Sequence, residues 1–355
     1  MDIDNTHFYK DKPLFGLDIG FSSIKVMQLE HHGDQHRVVG YGIGAFDSSA
    51  IKDGVIVDYE SLAQATLNLF KKNIVGEITT KRVALGIPSI RTFTHTFVLP
   101  PIEDSELHEA VMLEAEQNIP VPIGELYLDY SVVSKNDKTT EILTVAIPKK
   151  IVDSHLNFLK ILGLEPVIFD TSISAAGRLF DQKEEHSDIP AVLIDFGSIS
   201  ADITIRDKTN VITGTIPSGG DTFTEILAKN LNVSKEEAHV IKTKYGISKS
   251  KKQDKILEIL KPELDQLVRE VRRMIRYYEE RSGSKSKVGQ IITMGGGSNM
   301  PGLSGYLTDV LRLPVRMSEP WQGLSLHRLH APNENEKSVY VTVAGLCFIN
   351  PKEIF

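Results

Sequence analysis

Five residues in one short stretch carry the first chemical signal: Asp18, Gly20, Ser22, Ser23 and Lys25 of Phe-Gly-Leu-Asp-Ile-Gly-Phe-Ser-Ser-Ile-Lys. An acidic group can hold a metal ion with its waters, and glycine lets the backbone approach a ligand closely. Hydroxyls and amides donate to oxygens, and the lysine supplies a cation. Together they would make a phosphate cradle. The same residues also suit a plain glycine-turned hairpin at the start of a domain. The plan recurs, however, in the second half. Ala-Val-Leu-Ile-Asp-Phe-Gly-Ser-Ile-Ser-Ala-Asp reads as a strand ending at Asp195, a turn at Gly197 with Ser198 and Ser200 beside it, and a returning strand. A third turn, Gly295-Gly296-Gly297-Ser298, follows another apolar strand and precedes a helix.

The elements that would position these turns alternate in type. Leu14–Glu30 reads as a hairpin, Val38–Phe46 as a third strand, Tyr59–Asn73 as an amphipathic helix and Arg82–Pro88 as a short apolar strand. A unit of different texture follows. It has a strand at Thr92–Leu99, a helix over Ser105–Asn118 capped by Asp104 or Ser105, strands at Tyr127–Ser134 and Glu141–Ile147, and a helix over Lys149–Ile161. Val167–Asp170 and the helix Ser172–Phe180 return to the main body, and the charged segment Asp181–Asp188 links to the second half. There, Val211–Ile216 is a strand, Gly219 and Gly220 form a loop, and Thr222–Leu231 is a helix. Ser234 with Glu237 makes a capping box for a helix reaching Tyr245. After the basic loop Ser248–Lys255 come an amphipathic helix over Pro262–Arg281, strands at Lys287–Met294 and Pro314–Arg316, and a closing helix Val339–Cys347. Two Asp-x-Gly hairpins, each opening an α/β unit, read as an internal duplication. Their turns would face one another across a cleft, where ligands sit when α/β halves meet.

The totals bound the function. At 355 residues two domains are the natural expectation. A net charge of −7 without a long basic tract argues against wholesale nucleic-acid binding. The single cysteine, Cys347, excludes an intrachain disulfide and a cysteine-cluster zinc site. Met1–Lys12 is a polar lead-in without an apolar signal core, and no run approaches the ~18 apolar residues of a membrane span. The expectation is a cytoplasmic protein that meets a membrane only through partners.

Asp195–Thr204 resembles the second phosphate loop of the actin, Hsp70 and sugar-kinase superfamily, Asp-x-Gly-x-x-Ser/Thr-x-Asp. Asp18–Lys25 resembles the first phosphate loop, and Ile291–Leu303 resembles the adenosine motif. Three motifs in order over almost the whole chain imply an actin-like, duplicated ribonuclease-H-like α/β fold, with two domains around a nucleotide cleft. Within that superfamily the opening hairpin, the Ile-Pro-Ser-Gly-Gly-Asp-Thr-Phe-Thr-Glu run and the Ser-Lys-Glu-Glu-Ala-His helix are similar to the PilM family of type IV pilus assembly. The unit after Gly86 fits the inserted subdomain that PilM shares with FtsA. On this reading the first core spans 13–85, 167–186 and 338–355, and the insertion 86–166. The second core spans 187–231 and 287–337, and a helical subdomain 232–286.

The resemblance implies ATP with magnesium. Asp18 and Asp195 would hold the metal, mostly through water. Gly20, Ser22, Ser23 and Lys25 would meet the β- and γ-phosphates, with Gly197, Ser198 and Ser200 opposite. Gly295, Gly296, Gly297 and Ser298 would approach the adenosine and α-phosphate at a helix N-terminus. Gly219 and Gly220 would line the floor, and Glu270 with Arg273 stands at the spacing that touches ribose and adenine in Hsp70. The implied partner is the N-terminal tail of a PilN-like membrane protein, gripped near Phe93 and Ile119. PilB/PilC-like pilus machinery and self-association are further partner expectations.

Two departures bear on catalysis. Phe21 occupies a loop position usually held by a small polar residue. The segment Phe169–Ser174, where the family is expected to carry a glutamate that positions water, offers Asp170 instead. Binding should survive this change and hydrolysis should be weak or absent. A small-molecule kinase would need a carboxylate base in the cleft, for which Asp221 and Asp170 are the candidates. An FtsA-like division protein would need a C-terminal amphipathic membrane helix, which Asn350–Phe355 does not suggest.

Overall fold

A computed structural model describes residues 12–33, 35–183, 189–250, 253–281 and 286–349. The chain starts with β1 (Phe15–Ile19), β2 (Ser23–His32) and β3 (Gln35–Ala45), an antiparallel meander. A small hairpin, β4 (Ile51–Lys52) and β5 (Val55–Ile56), precedes the helix Tyr59–Lys72, then β6 (Ile74–Gly76) and β7 (Arg82–Ile87). β7 lies parallel to β1. The inserted unit holds β8 (Phe93–Leu99), the helix Asp104–Asn118, β9 (Leu126–Lys135), β10 (Thr140–Pro148) and the helix Lys149–Ile161. Its three strands form a separate sheet in the order β8-β10-β9. β11 (Glu165–Thr171) then returns to the edge of the first sheet, parallel to β7.

The second half repeats the plan. β12 (Ala191–Phe196), β13 (Ala201–Asp207) and β14 (Thr209–Ile216) are an antiparallel meander, and β15 (Gln290–Met294) and β16 (Val315–Met317) add in parallel beside β12. The strand orders are β11-β7-β1-β2-β3 and β16-β15-β12-β13-β14, with β17 (Leu324–Ser325) and β6 added at β3. The register matches too: Asp18 faces Lys25 across the first hairpin, and Asp195 faces Asp202 across the second. The chain is thus a duplicated α/β fold, as its two hairpins suggested.

Each central strand is apolar except for its aspartate, because both of its faces are covered. The helix Val341–Cys347, every residue of it buried, packs on β1 from behind. It comes close because Gly16 has no side chain, and a Cβ there would lie 2.6 Å from the Val343 carbonyl oxygen. Gly345 plays the same part toward the helix Ser172–Lys183, where a Cβ would collide with the Ala175 carbonyl.

Three local expectations change. The long helix begins at Gln253, not Pro262, and carries that proline inside. An internal proline costs about 3 kcal/mol, yet Ile256 and Leu260, both fully buried, extend the apolar stripe and offset it. The cap of the Asp104–Asn118 helix is Glu103, without a side-chain cap bond, rather than Asp104 or Ser105. The third turn, expected at a helix N-terminus, is instead a 3-10 turn at Gly296–Asn299, and the helix expected from about Gly302 follows it at Leu303–Leu311. The polar lead-in up to residue 11, 184–188 of the charged linker, 251–252 of the basic loop and the stretch from residue 350 onward lie outside the described residues.

Packing behind β1 should therefore be intolerant of single methyl groups. Gly345→Ala should destabilise the protein by about 1–3 kcal/mol in urea unfolding. Gly305→Ala, in a helix and with open space around its Cβ position, should be neutral or stabilise by up to about 1 kcal/mol. Equal stability for the two variants would refute the close approach.

Candidate functional site

The two hairpin turns meet across a cavity of about 670 Å3. Asp18, Gly20, Ser23 and Lys25 line it from the first half. Asp195, Gly197, Ser198 and Ser200 line it from the second, and Gly295, Gly296 and Gly297 from the third turn. Each turn is closed by its own backbone: the Gly20 amide donates to Ser23, and the Gly197 amide to Ser200, both at 2.9 Å. Gly220 and Asp221 then donate to the carbonyls of Gly197 and Ser198, which seats the next helix against the second turn. Gly295 has φ +78°, and a Cβ there would collide with the Asp195 carboxylate. Glycine is thus required by conformation and by space.

The cleft is crowded with acid. Asp195 is pushed up to about 7, chiefly by burial and then by the charges of Asp202 and Asp18. Asp202, accepting from Thr215 Oγ1 at 2.6 Å, is pushed up to about 6, again by burial. Lys25 Nζ donates to Asp18 Oδ2 at 2.9 Å, and both side chains are largely buried. On the far wall the Lys242 ammonium donates to the Gly220 carbonyl at 2.6 Å, and burial lowers its pKa.

This donor set fits a hydrated hard cation beside phosphates. Its carboxylates are all-oxygen ligands that repel one another, so a divalent ion would relieve the crowding of charge at Asp195. Among the described residues, no group of three or more His, Cys, Asp or Glu side chains comes together as a metal cage. Asp18 and Asp195 are the cavity-lining carboxylates that could hold a hydrated divalent ion.

Several expected residues stand elsewhere. Asp170 does not line the cavity: it pairs with Arg178 at 2.9 Å, and Ser172 borders the cavity instead. Glu270 and Arg273 are also off the cavity wall, paired with one another on the outer part of the long helix, where Arg273 is exposed. Ser22 turns its carbonyl to the Phe46 amide, Gly219 packs against the second turn, and the Ser298 hydroxyl donates to the Gly295 carbonyl at 2.6 Å. These three shape the turns from behind. Phe93 and Ile119 line a second cavity of about 330 Å3, together with Ile173 and Thr213–Thr215.

Other lining residues escaped the sequence reading. His239, Lys242 and Thr243 line the main cavity from the Lys235–Lys244 helix. Their i, i+3, i+4 spacing on the capping-box helix was the available signal. Asp202 was visible as the last position of the Asp-x-Gly-x-x-Ser-x-Asp pattern.

Residues 16–349 match the family model described as "Type IV pilus assembly protein PilM". This chain belongs to that family. It is similar to the PilM–PilN type IV pilus biogenesis complex, with a TM-score of 0.81 and 22% identity, over 94% of this chain and 97% of that one. It also resembles MreB 5 of Spiroplasma citri bound to AMPPNP, with a TM-score of 0.53 and 14% identity over 94% and 95% of the two chains. Among curated proteins it is 26% identical to the cell division protein FtsA of Pseudomonas aeruginosa, over 87% of this chain and 84% of that protein. The fold is actin-like. No helix among the described residues is long and apolar enough to cross a membrane.

The raised Asp195 pKa has a stability consequence. Between about pH 4 and 7 the folded protein keeps a proton that the unfolded chain has released. The stability this lends is present at low pH and lost as pH rises through about 7. Nucleotide-free protein should melt at least about 2 °C higher at pH 5.5 than at pH 7.5, and Asp195→Asn should remove most of the difference. An unchanged pH dependence in the variant would exclude Asp195 as its origin.

Proposed function

We propose that this protein is an ATP-binding scaffold of type IV pilus assembly that holds the N-terminal tail of a PilN-like membrane protein. The observation that carries the reading is the facing pair of Asp-x-Gly turns across one cavity, in a chain of the PilM family. Gly20, Ser23 and Lys25 close on the terminal phosphates from one side, and Gly197, Ser198 and Ser200 from the other. Asp18 and Asp195 orient the waters of magnesium. Gly295, Gly296 and Gly297 give bare backbone to the adenosine end, beside His239, Lys242 and Thr243. MgATP in this cavity would be held by residues of both halves. The tail occupies the second cavity, against Phe93 and Ile119, which brings the protein to the cytoplasmic face of the membrane.

Hydrolysis is weak on this reading. The ion pair with Arg178 holds Asp170, and Ser172 at the cavity is a poor proton acceptor. A small-molecule kinase would retain one candidate base, Asp221, at the cavity wall.

Calorimetry with MgATP, with and without a synthetic peptide of the partner's tail, tests the assignment. The expected outcome is micromolar or tighter ATP binding that alters peptide affinity, with Phe93→Ala or Ile119→Ala weakening the peptide about tenfold and leaving ATP binding intact. Failure of ATP to bind folded, nucleotide-free protein would sink the cleft assignment. Peptide affinity indifferent to both substitutions would move the tail elsewhere. Asp170→Asn should leave residual turnover unchanged, whereas loss of a working general base would lower it by a factor of about 10² to 10⁴.

A further inference from the structure

One arm of the main cavity lies beyond the nucleotide loops. Asp18 pairs in register with Gly86 of β7, so Pro88, one residue past the end of that strand, lies about 7 Å further on. From there the cavity continues past Ile90 to Arg91 and His155. Gly54, in the β4–β5 turn, lies against Arg91 and against Ile151, which is one helical turn before His155. A Cβ on Gly54 would sit 3.0 Å from Arg91 Cγ and 3.1 Å from Ile151 Cδ1. Ile151 is also the residue whose carbonyl accepts from His155 Nδ1, at 2.9 Å.

A carbonyl can only accept, so Nδ1 carries the ring proton and Nε2 keeps its lone pair. Burial holds the imidazole neutral by lowering its pKa. His155 is 2% exposed and lines the cavity, and Nε2 has no hydrogen-bond partner among the described residues. Arg91 makes an ion pair at 3.3 Å with Asp53, whose side chain is 83% exposed. Such a pair is weak and readily exchanged for a ligand.

The geometry points to a second anion subsite at Arg91 and His155, which takes a tetrahedral phosphate that still carries a proton. The charged oxygens meet the guanidinium, and the P–OH group donates to His155 Nε2. The acceptor ring sets the selectivity. Phosphate keeps a proton at neutral pH and can donate it. Sulfate, of similar shape and charge, cannot. The ligand is inorganic phosphate, free in solution or left behind when a nucleotide loses its terminal group. The subsite does not depend on the nucleotide assignment, because its residues are separate from the turns.

The test is a calorimetric titration of intact, nucleotide-free protein with sodium phosphate and with sodium sulfate at pH 7 and fixed ionic strength. Phosphate should bind at least about tenfold more tightly than sulfate, the difference one hydrogen bond makes. Arg91→Gln should weaken phosphate by about tenfold or more, with melting temperature and MgADP affinity unchanged. His155→Gln should bring the phosphate-to-sulfate ratio toward one. Equal binding of the two anions by the native protein, or undiminished phosphate binding by Arg91→Gln, overturns the proposal. Repeating the titration on MgADP-saturated protein separates the sources. Unchanged phosphate affinity supports a site open to free phosphate, and tighter binding supports one that holds phosphate released from the nucleotide. Phosphate displaced by MgADP would place it in the nucleotide loops and also overturn the proposal.

Discussion

Carboxylates carried on the central hairpins of two sheets and facing one cavity cannot all be charged cheaply. Asp18 has Lys25 beside it, while Asp195 has Asp202 across its own hairpin and Asp18 across the cleft. The first half answers its acid with a cation at the position where the second half places another acid. The duplicated register makes that difference visible, because Lys25 and Asp202 occupy the same place in the two hairpins. The result is a cleft with more negative charge than it can pair. Such a site is held in check by protonation at Asp195 and is suited to a divalent ion with its waters.

Everything around the cleft serves close approach. The turns that face one another are glycine and serine, so a ligand's oxygens can meet backbone amides without displacing side chains. Behind them the same device recurs, with Gly16 and Gly345 letting a fully buried helix lie against β1. That packing keeps the aspartate-bearing strand from shifting. Dense interiors have few intermediate positions, so the turns are held by the core rather than by the loops themselves.

The turns were legible in the sequence because their chemistry is local. Asp18 to Lys25 and Asp195 to Ser200 lie within one hairpin each, and strand pairing puts them where their spacing implies. The strand and helix order of the inserted unit was legible for the same reason, from alternation and breakers. Residues that depend on distant packing were not. Asp170 was the catalytic candidate because it lies in the segment where the family is expected to carry a water-positioning glutamate, yet Arg178, the seventh residue of the next helix, pairs with it. Glu270 and Arg273 share a spacing that suits a nucleoside, but the helix rolls its apolar stripe inward and leaves them to pair outside. Pro262 looked like a helix start because its local penalty is evident in the sequence, while the burial of Ile256 and Leu260 that outweighs it is not.

The placement of the second cavity explains how two ligands could speak to one another. Its walls come from the inserted unit at Phe93, from the first sheet's helix at Ile173 and from β14 of the second sheet at Thr213–Thr215. The main cavity likewise has walls from both halves. Among the described residues two ion pairs tie the halves together away from the cleft: Arg281, at the end of the long helix, with Glu141 of β10 at 3.1 Å, and Arg206 of β13 with Asp181. β14 and β8 meet beside the second cavity, so a ligand that moved one half relative to the other would alter its width. By linkage the effect would be reciprocal: a peptide that preferred one width would favour the cleft position that goes with it. Coupling of this kind needs no hydrolysis. It requires only that each ligand bind one arrangement of the halves better than the other.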